Sequence, residues 1–186
     1  MSEKEKMLAG QLYDPSDAEL SALRLNARLL CERFNLSSAN KQEERIELLN
    51  QLLGRCGQNL YVEQTFNCDY GFNIELGEHF YANFGCVILD VAKVTFGNHC
   101  KLGPQVGIYT ATHPTEPLSR LSGLEFAKPI SIGNNCWIGG HAVINPGVTL
   151  GDNVVVASGS VVTKSFSNNF VIAGNPAKVI KAITQD

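Results

Sequence analysis

The stretch ISIGNNCWIGGHAVINPGVTLGDNVVVASGSVVTKS, residues 130–165, decides the fold, because it repeats every six residues. Written in sixes it reads ISIGNN, CWIGGH, AVINPG, VTLGDN, VVVASG and SVVTKS. The third position is an unbroken aliphatic column of Ile132, Ile138, Ile144, Leu150, Val156 and Val162, and the first holds Ile130, Cys136, Ala142, Val148, Val154 and Ser160. Two inward positions flanking an outward one describe a short strand with alternating faces. The remaining positions are dominated by Gly, Asn, Asp, Pro and Ser, residues that accept tight or left-handed backbone. Each hexad is therefore a short strand followed by a corner. VTFGNH and CKLGPQ, residues 94–105, obey the same rule, and a looser version reaches back to about Leu60.

A strand-and-corner unit cannot bury its apolar side alone, so successive coils must stack into a parallel β-helix. The period and corner chemistry resemble the hexapeptide-repeat family, which implies a triangular prism of three hexads per coil, wound left-handed. On that geometry residues 18 apart share an outer face, pairing Ser131 with Thr149, Trp137 with Val155, and Val143 with Val161. Two of these faces are apolar outside, which predicts that a partner covers them and that the chain assembles as a three-fold ring.

Outward from the repeat, the composition sets limits. The 186 residues carry a net charge of −3, so no basic field exists to attract nucleic acid. The opening MSEKEKMLAG lacks an apolar signal core, and no run is long and apolar enough for a membrane span, so the expected location is cytoplasmic. Cysteines stand at 31, 56, 68, 86, 100 and 136 without a C-x-x-C pair, which reads as reduced thiols.

Residues 1–56 read as a small helical domain ahead of a β-helix over 57–186. Leu20, Leu23, Ala27, Leu30 and Phe34 have helical spacing, with Ser16 and Glu19 as a capping box at the start. A second helix is predicted over Lys41 to Leu53, with Ile46, Leu49 and Leu53 on its buried stripe and Gly54 beyond its end. Residues 109–129, YTATHPTEPLSRLSGLEFAKP, abandon the hexads and must leave the prism wall as an extruded loop. That loop contains His113, held beside Pro114 and suited as a neutral imidazole to abstract a proton near neutral pH. Beyond the last hexad, the C-terminal tail carries Lys178 and Lys181 in AKVIKAI; with Lys164 they could meet a polyanion.

YTATHP, the run from GLEF to VVTKSF, the closing AGNPAKVI and the opening KMLAGQLYDPSDAEL together resemble the maltose and galactoside O-acetyltransferases and the related nodulation acetyltransferases over nearly the whole chain. The resemblance implies transfer of an acetyl group from acetyl-CoA to a sugar hydroxyl, with His113 as general base in a direct attack that needs no acyl-enzyme. It also implies that Asn83, Trp137, Gly140, Ser158, Thr163, Lys164, Lys178 and Lys181 contact the coenzyme, with Gly140, Ser158, Thr163 and Lys164 in line along one prism edge between subunits of a homotrimer. Backbone N–H groups at Gly139 and Gly140 are candidates for the oxyanion. For the acceptor it points to Tyr81, Asn83 and Glu125, and more weakly to Asp17, Arg24 and Asp69. Val91 stands where some galactoside enzymes have Asp, which leans toward a maltose- or glucose-type acceptor.

Other readings are weaker. Zinc chemistry of the β-helix carbonic anhydrase kind needs a close histidine pair, whereas the four histidines are spaced 20, 14 and 28 apart, so no metal is expected. A cysteine nucleophile is disfavoured because Cys100 and Cys136 point inward and Cys31 and Cys56 fall in the helical region. A non-catalytic β-helix scaffold or binding protein is the remaining alternative.

Overall fold

Each hexad becomes a strand of two or three residues and a corner, and the strands stack into three walls of a prism in the computed structural model, which describes residues 1–184. One wall orders Tyr61–Val62, Tyr81–Ala82, Lys101–Leu102, Trp137–Ile138, Val155–Val156 and Phe170–Gly174 in parallel, then adds Ala177–Ala182 antiparallel. The second orders Asn67–Cys68, Val87–Leu89, Gly107–Tyr109, Val143–Ile144 and Val161–Val162. The third orders Ile74–Glu75, Val94–Phe96, Ile130–Ile132 and Thr149–Leu150. The expected pairs 18 apart are all in register: Ser131 with Thr149, Trp137 with Val155, Val143 with Val161. Lower coils are longer, with Tyr81 opposite Lys101 and Val87 opposite Gly107 at a spacing of 20, which is why their hexads read loosely.

Both inward columns are buried throughout the 130–165 run, forming one continuous core. Each large aliphatic side chain there contributes about 1.5–3 kcal/mol. The corners use the left-handed backbone that asparagine tolerates: Asn135 and Asn153 have φ of 56° and 59°. Their side chains form a ladder, Asn135 Nδ2 donating to Asn153 Oδ1 at 3.2 Å and Asn153 Nδ2 to Asn169 Oδ1 at 2.7 Å. Lower on the same edge the corner residues are His79 and His99, whose rings stack with centroids 4.6 Å apart.

The N-terminal region forms α1 (Glu3–Leu8), α2 (Ala18–Leu36) and α3 (Gln42–Leu52). α1 was not anticipated, although Ser2 and Glu5 make a reciprocal capping box at its start. The cap expected at Ser16 belongs to Asp17, whose carboxylate accepts from the Leu20 amide, while Ser16 bonds back to Asp14. On α2 the expected stripe is buried except Leu23, which is half-buried. On α3 the stripe is rotated: Arg45, Leu48, Leu49 and Leu52 are buried and Ile46 is only half-buried. Arg45 earns its place inside by donating to the Val62 carbonyl at 2.8 Å and lying 4.6 Å from the Phe34 ring. Phe34, Leu49 and Leu52 join Leu60, Val62 and Phe66, so α2 and α3 close the base of the prism core. Met7, Tyr13 and Leu20 form a second cluster with Tyr70, Val91 and Ala127.

The six cysteines are free, five of them buried. No helix among the described residues is long and apolar enough to cross a membrane.

Candidate active site

Tyr109 still pairs with Leu89 in the wall, so the chain departs one residue later than expected. Thr110 anchors the exit: buried, it donates through Oγ1 to the Leu89 carbonyl at 2.6 Å and accepts from the Ala92 amide at 2.9 Å. The loop then has structure of its own. Ala111–Thr112 pairs antiparallel with Phe126–Ala127, and α4 (Pro117–Leu121) forms the tip, with the Glu116 carboxylate accepting from the Leu118 and Ser119 amides. His113 directly follows the outgoing strand Ala111–Thr112, and Glu125 directly precedes the returning strand Phe126–Ala127.

The N-terminal segment locks that return. Tyr13 and Glu125 exchange both backbone hydrogen bonds, at 3.0 and 3.1 Å, and the Tyr13 hydroxyl donates to Glu125 Oε2 at 2.9 Å. Burial and the neighbouring carboxylate push the Tyr13 phenol far above its ordinary range, so it remains a donor. With one oxygen held, Glu125 turns the other toward His113, Oε1 lying 3.9 Å from Nε2.

His113 stands in the wall between two cavities. The first, of about 340 Å³, is also lined by Tyr13, Arg24, Arg28, Asp69, Val91 and Glu125. In it Arg24 is fixed by donating to the Tyr70 hydroxyl at 2.7 Å and the Pro15 carbonyl at 2.5 Å. Burial raises the Asp69 carboxyl above its usual range, against the pull of Arg24. The second cavity, of about 560 Å³, is lined by Thr112, His113, Phe126, Lys128, Asn145 and Thr163 among others. An imidazole that reaches both spaces can take a proton from a group in one while a reacting partner occupies the other.

The structure thus brings His113, Glu125, Arg24 and Asp69 together around one cavity, while Asp17 caps α2 and lines neither space. Tyr81, Asn83 and Trp137 lie elsewhere. Tyr81 and Trp137 share the first wall on either side of Lys101, Tyr81 stacking on Tyr61 at 6.0 Å, and Asn83 Oδ1 accepts from the Phe84 amide. Trp137 is 57% exposed.

The line of coenzyme residues along one edge is corrected. Gly140 and Ser158 follow the paired strands Trp137–Ile138 and Val155–Val156, and the Gly159 amide donates to the Gly140 carbonyl. Thr163 and Lys164 follow Val161–Val162 on the second wall, one corner further round, because the strand Val143–Ile144 and its neighbours intervene. The pairing of Gly139 and Gly140 as oxyanion donors is corrected too: the Gly139 amide already donates to the Val156 carbonyl at 2.8 Å. A side chain at Gly139 is excluded for a packing reason, since its Cβ would sit 2.5 Å from the Ser158 nitrogen in the next coil. Lys178 and Lys181 are exposed on the antiparallel end strand of the first wall, and the Lys164 ammonium lies 5.6 Å from the Phe166 ring.

Sequence reasoning missed Tyr13, Arg28 and Tyr70. Arg28 was findable, because it stands one helical turn after Arg24 and shares its face. Nothing local marks Tyr13, whose role depends on a partner 112 residues away.

Comparison with known proteins matches residues 6–57 to the maltose acetyltransferase hexapeptide capping motif and residues 129–164 to the hexapeptide repeat of succinyl-transferase. Nodulation protein L of Rhizobium meliloti is 47% identical over 96% of this chain and 97% of its own length. The crystal structure of a maltose O-acetyltransferase from Clostridium difficile 630 superposes with a TM-score of 0.98 at 47% identity, covering 100% of this chain and 99% of that one. A galactoside acetyltransferase in complex with coenzyme A superposes at 0.95 with 40% identity, covering 99% of this chain and 92% of that one. The fold and these likenesses define a hexapeptide-repeat acetyltransferase. The chain belongs to the maltose and galactoside O-acetyltransferase family.

Proposed function

We propose that the protein transfers the acetyl group of acetyl-CoA to a hydroxyl of a sugar, with maltose- or glucose-type acceptors favoured and His113 as general base. The observation that carries this reading is the position of His113 between two cavities, one walled by Arg24, Asp69 and Glu125 and the other by Asn145 and Thr163. The acceptor occupies the first and the thioester approaches through the second. His113 Nε2 takes the hydroxyl proton as the oxygen attacks the thioester carbonyl; the tetrahedral intermediate collapses, the C–S bond breaks, and the imidazolium returns the proton to the departing thiolate. Glu125 stabilises the imidazolium while it lasts. The apolar side of the acceptor cavity at Val91 leaves no carboxylate there, which favours glucose-type over galactoside acceptors.

The working unit in this reading is a homotrimer. Tyr81, Asn83, Trp137, Gly140 and Ser158 lie on the first wall and its edge, away from His113 of the same chain, while Thr163 and Lys164 lie on the next edge. A site that uses both sets needs the first wall of one copy to meet the loop of its neighbour. Incubation with acetyl-CoA and maltose, with release of free thiol followed against a no-sugar control, tests the reading. Sugar-dependent thiol release supports it, and its absence across maltose, glucose and galactosides overturns it.

A further inference from the structure

Below the cavity shared by Asp69 and His113 lies a carboxylate that the reaction does not use. Asp90 follows the strand Val87–Leu89 and is fully buried. Its Oδ1 accepts from the Asp69 amide at 3.0 Å and the Tyr70 amide at 2.9 Å, and its Oδ2 accepts from the Asn73 amide at 3.3 Å. Asn73 answers with its side chain, Nδ2 donating to the Asp90 carbonyl at 2.7 Å. One buried carboxylate therefore gathers the donors of a single bend, residues 69–73.

That bend turns through Gly71 at φ +78°, a left-handed position suited to glycine, and carries two parts of the cavity. Asp69 lines it directly, and the Tyr70 hydroxyl accepts the hydrogen bond that fixes Arg24. We propose that Asp90 is a positioning residue: its carboxylate, by accepting from the Asp69, Tyr70 and Asn73 amides, holds the 69–73 bend in its cavity-forming shape, and replacing that carboxylate loosens the bend and weakens acceptor binding. The acceptor half of this inference rests on the function proposed above; the hold on the bend does not.

An ionised carboxylate offers only acceptors to the three amides, whereas the neutral acid turns one oxygen into a donor and faces N–H with O–H. Burial pushes the Asp90 carboxyl up to about 6, helped by the charge of Asp69 and opposed by the backbone amides. The remaining titratable groups that bear on it are the thiols of Cys31 on α2 and Cys68 on the preceding strand. Arg24, Arg28 and Glu125 act on Asp69. At neutral pH Asp90 is ionised and presents acceptors alone to the three amides; because burial raises its carboxyl, a proton taken up in acid favours the buried site over an opened one, so the hold on residues 69–73 lies in the acceptor geometry and not in a pH switch.

Hydrogen exchange at the amides of Asp69, Tyr70 and Asn73 tests this, corrected for intrinsic rates and referred to the strand Val87–Leu89 of the same protein. At pH 7, Asp90→Asn should lower protection of the bend about tenfold relative to that strand, because the amide turns one accepting oxygen into a donor that faces N–H. Asp69→Asn, which keeps the Asp90 carboxylate and the backbone amides that bond to it, should retain the parent protection. Protection unchanged in Asp90→Asn, or lost equally in Asp69→Asn, overturns the assignment. If maltose is acetylated, its KM should rise in Asp90→Asn while the KM for acetyl-CoA stays constant; a maltose KM indifferent to the substitution also overturns it. If no sugar is acetylated, the acceptor reading falls, and the exchange data alone decide whether Asp90 holds the bend.

Discussion

The His113 imidazole and the Glu125 carboxylate face one another at 3.9 Å across the neck of the loop because Tyr13, from the other end of the sequence, holds Glu125 by its backbone and its second oxygen. The N-terminal segment is thus a support for the proposed reaction centre as well as for the prism base. Tyr13→Phe keeps the backbone pairing and removes only the hydroxyl, so it should lower kcat by a few-fold at unchanged melting temperature, with Glu125→Gln costing about tenfold. Steady-state thiol release with saturating acetyl-CoA and maltose measures both.

His113→Ala should remain folded, since His113 is 53% exposed on a loop outside the stacked core, and should lose roughly 10²–10⁴ in kcat. Circular dichroism and the thiol assay check the two halves of that expectation. Activity within a few-fold of the parent would remove the imidazole from the mechanism.

The lysines divide between two places, Lys164 beyond the second wall and Lys178 and Lys181 on the end strand of the first. If each meets a coenzyme phosphate, Lys164→Ala, Lys178→Ala and Lys181→Ala should each raise the KM for acetyl-CoA and leave kcat and the sugar KM nearly unchanged, because contacts remote from the reacting bond contribute equally to ground and transition states. Added salt should mimic the loss. Three variants with the parent KM at low ionic strength would leave the coenzyme to backbone and apolar contacts.

Val143 and Val161 stand in register on the outside of the second wall. If that strip faces a neighbouring copy in the proposed trimer, changing both to Lys places two charges in the contact, and the molar mass by light scattering should be smaller than that of the parent. An unchanged mass would show that this strip is not an interface.

Arg45→Ala should destabilise the fold by about 3 kcal/mol, because it leaves the buried Val62 carbonyl without its donor and opens space against Phe34. Denaturant unfolding measures the loss. The kcat of the folded fraction should not change, since Arg45 lies at the prism base away from both cavities.

The prism was legible because its rule is local: a strand of alternating faces and a corner that needs small or left-handed residues repeat with little variation from Ile130 to Ser165, and the register follows by counting. His113 stood out for the complementary reason, as the histidine in the segment that breaks the rule. What escaped was non-local. The Tyr13–Glu125 clasp and the grip of Asp90 on residues 69–73 depend on chain segments that meet only after the prism is built. On α3 the apolar stripe pointed to Ile46, and the burial of Arg45 became intelligible only once Val62 and Phe34 were seen to receive it. The resemblance put Gly140, Ser158, Thr163 and Lys164 on one edge, yet the chain turns a corner between Ser158 and Thr163.

Stacked parallel strands invite further strands, and a prism left open at its ends would be a template for fibre growth. Here the first wall ends in Ala177–Ala182, which runs against the direction of the strands below it and brings Lys178 and Lys181 to the rim. At the other end Arg45 occupies the Val62 carbonyl, and α2 and α3 cover the core. Reversal at one end and helices at the other give the solenoid a fixed length: a chain cut before Phe170 would expose Val155–Val156 as a free edge and should polymerise end to end rather than merely lose activity.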